Sequence, residues 1–168
     1  MRTDVFKVEI VNDQNKISPP VGLRMLIRRC CNAVFQLEKF NKSAQVVVTL
    51  TDNEKIKNLN IKYRNKDEST DVLSFPTKKY DQVSDDTDFE TNPETGAKIL
   101  GDIVVSIEKA REQSEKFNHS LQHEIARLVV HAMFHLFGYD HETNEMDASI
   151  MTEREEKVVN SIGFNSNN

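Results

Sequence analysis

From Leu121 to Phe137 the chain carries a mostly apolar segment that includes His131 and His135 and is closed by Gly138. Its length and periodicity predict a helix, and four-residue spacing puts both imidazoles on one face, one turn apart. Gly138 can end the helix in a left-handed conformation and let the chain double back with His141. Imidazoles on a helix whose other positions are mostly Leu, Val, Phe and Met each need a polar partner. Ligation of one ion supplies a partner to all three, and three imidazoles are a ligand set of catalytic zinc that leaves the fourth position open. One zinc ion per chain, on His131, His135 and His141, is therefore expected. Position 132 is Ala, where a zinc protease helix of the HExxH kind carries its general base. Asp140 reads either as an acceptor for a ligand N–H or as an exposed turn residue. His119 and His123 share the four-residue spacing, but His123 precedes His131 by eight residues, about 12 Å along a helix. They read as surface imidazoles.

With 168 residues, the chain suits a single domain, read as residues 1–165, with 166–168 a frayed tail. Charges in the first seven residues, and apolar runs too short to span a bilayer, point to a cytoplasmic protein with no membrane partner. The two cysteines, Cys30 and Cys31, are adjacent and read as reduced, partly buried thiols. A net charge of −5 argues against nucleic-acid binding over the whole surface, but leaves room for a local basic patch.

Val5–Val11 alternates like a strand, and Ser18-Pro19-Pro20 reads as the N-cap and first turn of a helix to about Lys39. Gln45–Leu50 is a second strand, and Thr51-Asp52-Asn53-Glu54 matches a capping box before a short amphipathic helix. Asp71–Phe75 reads as a third strand, ended by Pro76, and Ile99–Ser106 as a fourth. Between them, 79–98 is polar and acidic and reads as a flexible hairpin-like loop. Helices over Ile107–Lys116, Leu121–Phe137 and Asn144–Ile162 complete an α+β domain: a four-stranded mixed sheet packed by about five helices.

Lys55, Lys57, Lys62, Arg64 and Lys66 form a local positive cluster in this acidic chain. Such a run is either a solvated helix face or a contact surface for phosphates, and Arg64 has the chemistry of a bidentate phosphate contact. Asp71 and Ser74 lie in an otherwise apolar strand, held structurally or aimed at the site.

The His131–His141 segment, Leu59–Pro76 (LNIKYRNKDESTDVLSFP) and Leu100–Ser106 (LGDIVVS) together resemble the signatures of the YbeY family of endoribonucleases, which act in ribosomal RNA maturation. The resemblance covers nearly the whole chain. It implies a mixed four-stranded sheet, a zincin-like histidine helix, zinc on the three histidines and single-stranded RNA as substrate. Arg64 stands where the family has a functionally important arginine, and with Lys66 it is the expected RNA contact. Catalytic roles are expected of Arg64 and His131, with no side chain standing out as a general base. The resemblance further implies maturation of the small-subunit ribosomal RNA 3′ end, ribosome quality control, and the ribosome or its small subunit as partner. Where the family usually has glycine after the first histidine, this chain has Ala132. Its methyl is expected to crowd whatever approaches the helix there. The alternatives are a non-catalytic ribosome-biogenesis factor with a structural zinc and a zinc peptidase, the latter opposed by Ala132.

Overall fold

The computed structural model describes residues 5–78, 89–139 and 145–164. Along the chain lie β1 (Phe6–Asn12), α1 (Leu23–Leu37), β2 (Ala44–Thr51), α2 (Asn53–Arg64), β3 (Val72–Pro76), β4 (Glu90–Thr91), β5 (Lys98–Ser106), α3 (Ile107–Lys116), α4 (Leu121–Leu136) and α5 (Glu145–Ile162). The sheet runs β1-β2-β5-β3, with β1, β2 and β5 parallel and β3 antiparallel to β5. This is the expected mixed sheet, and the two-residue β4 adds a further antiparallel pairing on β5.

Alternation along the strands divides the core. Val8, Val46, Val48, Ile103 and Val105 point to one face, covered by α1 and α4, and α5 packs on those two helices. On the other face Ile56 of α2 packs on Leu73 and Val104. α4 is buried almost all round, which is why its sequence is apolar beyond a single stripe.

Several boundaries differ from expectation. Ser18 caps nothing: the chain turns through Gly22 at φ 82°, and α1 starts at Leu23. Gly22 is the N-cap residue, and no side chain bonds the first turn of α1. Thr51 stays in β2, paired with Ser106, so the next residue, Asp52, becomes the cap and accepts from the Lys55 N–H at 2.9 Å. Pro76 belongs to β3, opposite Gly101, as an edge strand permits. Of the segment read as a flexible acidic loop, 79–88 lie outside the described residues, as do 166–168. The rest, 89–98, is a hairpin. Phe89 anchors it by packing on Phe40 and Phe137, and the Asn92 N–H bonds the Ala97 carbonyl at 2.8 Å. One aromatic side chain offsets the polar composition of that stretch.

Gly101 brings the strands to the histidine helix. Gln45 pairs with Ile99 and Val46 with Gly101, so Leu100 is the extra residue of a bulge. At φ 147° a Cβ on Gly101 would collide with the Phe75 carbonyl oxygen and come 3.0 Å from Leu136. Glycine is required where β3, β5 and the end of α4 meet.

Both cysteines are wholly buried in α1. Burial pushes the Cys30 thiol up to about 12 and raises Cys31 further from its thiolate form, so both are inert packing groups.

Candidate functional site

Ser120 caps α4, its hydroxyl accepting from the His123 N–H at 3.0 Å. At the other end the Gly138 N–H bonds the His135 carbonyl at 3.0 Å and the Tyr139 N–H bonds that of Phe134 at 3.1 Å. With Gly138 at φ 101° and the Tyr139 ring packed edge-on against Phe134, this is a complete Schellman stop. The expected turn after the histidines is present. His141 and Asp140, the residues it leads to, lie outside the described residues.

The two described imidazoles converge. Their Nε2 atoms are 2.9 Å apart and their rings nearly perpendicular. Behind His131, Nδ1 lies 2.7 Å from Oε1 of Glu155 on α5. An Nδ1–H donated to that carboxylate leaves the His131 Nε2 lone pair facing His135. Two ring nitrogens this close suit a shared cation with bonds of about 2.0–2.1 Å, and a carboxylate behind a histidine is the usual support of a ligand. The donor set therefore fits zinc. Among the described residues no group of three metal-binding side chains is gathered.

Glu155 is absent from the sequence reading, although it left a signal. Met151, Val158, Val159 and Ile162 form the buried stripe of α5, and helical geometry puts position 155 within that stripe. An acid on an apolar face calls for a partner.

A polar network continues along α4. Glu124 is fully buried and bonds Arg127 through Nε and Nη2, while Gln113 reaches both Glu124 and Asp71 at 3.3 Å. Burial works against the Glu124 carboxylate, but Arg127, Gln113 and His119 outweigh it and hold its pKa below the usual range. Asp71 is held structurally as well, accepting from the Val72 N–H at 2.8 Å. The reading of His119 and His123 as surface imidazoles is overturned. His123 is 9% exposed, stacks on Phe164 and packs against the His119 ring at 4.3 Å. Burial first, then the nearby His119, lowers the His123 pKa. Both rings line a groove of about 480 Å³ between α4 and α5 that also includes His131 and Glu155.

Arg64 and Lys66 are exposed at the end of α2, where Asn65 at φ 56° stops the helix. They do not line that groove. Lys55 and Lys57 of the same cluster are paired with Asp13 and Asp67, whereas no ion pair engages Arg64 or Lys66 among the described residues. The cluster is thus part solvated face and part available cation.

A family model described as Endoribonuclease YbeY matches residues 9–163. The chain belongs to that family. An Endoribonuclease YbeY from Caldanaerobacter subterraneus subsp. tengcongensis is 44% identical over 95% of this chain and 99% of its own length. One from Acetivibrio thermocellus is 39% identical over 96% and 100%. A Thermotoga maritima protein solved in solution shares the fold at a TM-score of 0.59 and 25% identity, covering 92% of this chain and 88% of its own. Membership makes the chain an endoribonuclease, an enzyme acting on RNA, and the expected α+β fold holds. The expected crowding at position 132 is corrected. Ala132 is 1% exposed within the core, so its methyl meets other core side chains and not an approaching substrate. Among the described residues no helix is long and apolar enough to cross a membrane.

Proposed function

We propose that this chain is a single-strand-specific, zinc-dependent endoribonuclease that acts in the cytoplasm on ribosomal RNA. Its tasks in this reading are maturation of the small-subunit RNA 3′ end and ribosome quality control, with the ribosome or its small subunit as partner. The observation that carries the proposal is the convergence of His131 and His135, backed by Glu155, in a member of an endoribonuclease family. His131, His135 and His141 would hold one zinc ion, which supplies Lewis acidity to a water and to a phosphate oxygen. Glu155 orients His131 and keeps its proton on Nδ1. Arg64, with Lys66, neutralises charge on the phosphate under attack, consistent with a guanidinium that no described carboxylate occupies.

Elemental analysis paired with cleavage of a single-stranded RNA tests this. About one zinc per chain is expected, with activity lost on chelation, restored by zinc, and lost in His135→Ala and Arg64→Ala from the same preparation. Full activity in both variants would overturn the assignment. Unfolding on chelation, with no RNA cleavage by the zinc-loaded protein, would instead support a structural metal.

A further inference from the structure

We propose that the groove between α4 and α5 binds one nucleobase of the RNA strand next to the cleaved phosphate; this rests on the nuclease reading above. Its volume of about 480 Å³ is typical of a small-ligand cleft. His131 and Glu155 belong to its lining, so it opens directly off the imidazole pair. From there it follows α4 past Arg127 to His123, about 12 Å along the helix axis.

Charge decides which part of a nucleotide enters. Arg127 is the one Lys or Arg in the lining, but two of its nitrogens are bonded to the buried Glu124. The carboxylates of Asp71 and Glu155 also stabilise its charge, and Glu156 stands on the rim. A phosphodiester would be repelled by these carboxylates once Arg127 is neutralised. A neutral, flat base meets different surroundings. His123 is already packed against His119 at 4.3 Å and Phe164 at 4.9 Å, so no base slides between these rings; together with Val159 the two histidines form an aromatic and apolar wall. A neutral base buries apolar surface against such a wall at little desolvation cost, whereas a phosphate does not.

Selectivity comes from the rim. Thr152, Glu156 and Asn160 recur every four residues along α5 and share one row. The Glu156 carboxylate accepts from the exocyclic amino groups of adenine, cytosine and guanine. Uracil offers a carboxylate only its N3–H, flanked by two carbonyl oxygens that repel the carboxylate. The groove therefore favours amino-bearing bases over uracil beside the cleavage point.

Fluorescence anisotropy with the zinc-loaded protein and cleavage-resistant 2′-O-methyl phosphorothioate oligomers of A, C or U tests this. The A and C oligomers are expected to bind roughly tenfold tighter than U. Glu156→Ala changes an exposed residue and is expected to bring the three within about twofold of one another. Equal binding of all three oligomers by the unaltered protein, or a preference that survives Glu156→Ala, would overturn the groove assignment. Zinc- and His135-dependent RNA cleavage in that same case would leave the nuclease reading standing. Failure to bind any oligomer, together with failure to cleave RNA, would overturn both.

Discussion

Glu155 stands one hydrogen bond behind His131, and 24 residues after it in the chain. As a carboxylate it makes the imidazole a better donor to a cation and fixes which nitrogen carries the proton. Glu155→Gln keeps the shape and removes the charge. Zinc affinity measured against a competing chelator is expected to fall about 10- to 100-fold, with an unchanged circular dichroism spectrum. Unchanged affinity would show that the carboxylate lends His131 nothing. The histidine pair was readable from spacing because i and i+4 face the same way on any helix. Glu155 was not, since its partner is set by how α5 lies on α4. The environment of Ala132 has a local reason instead: neighbours on a helix differ by about 100° in direction, and position 132 turns into the core.

At the scale of elements, the end of α4 carries most of the site's local design. Tyr139 and Phe134 close the stop that Gly138 permits, and the chain then leaves toward the third expected ligand. Gly138→Ala forces a side chain into φ 101°, which costs about 1–2 kcal/mol. Urea denaturation should show that loss, and Gly138→Asn a smaller one, because asparagine tolerates the left-handed region. Equal stability of all three proteins would mean the turn relaxes without cost. Helix stops proved easier to read than helix starts. Glycine at a stop has one strong steric reason, whereas Ser18, Thr51 and Asp52 were all chemically able to cap. The choice of Asp52 followed from Thr51 being committed to the sheet.

Across the whole molecule, burial converts charge into pH dependence. Glu124 is fully buried and its folded pKa is depressed below the ordinary 4.5. A depressed carboxylate contributes stability that is complete above that unfolded value and lost as the pH falls through the folded one. Melting temperature should therefore drop as the solution is taken below about pH 4.5. Glu124→Gln should be less stable at neutral pH, by about 1 kcal/mol because solvent screens the 40% exposed Arg127, and show a flatter acid limb. An acid limb as steep as the unaltered protein's would remove Glu124 from the account.

Alternation, the four-residue histidine spacing and Gly138 are local properties, carried by bond geometry and side-chain direction along a few residues. They were enough for the order of strands and helices, the burial of α4 and the pairing of His131 with His135. Packing between distant segments set the rest. It made Gly101 indispensable beside Phe75 and Leu136, drew His119 and His123 into the groove wall, and brought Glu155 behind His131. Such contacts are settled by which arrangement of sheet and helices buries the most apolar surface while leaving no buried polar group without a partner, a condition on the whole chain at once.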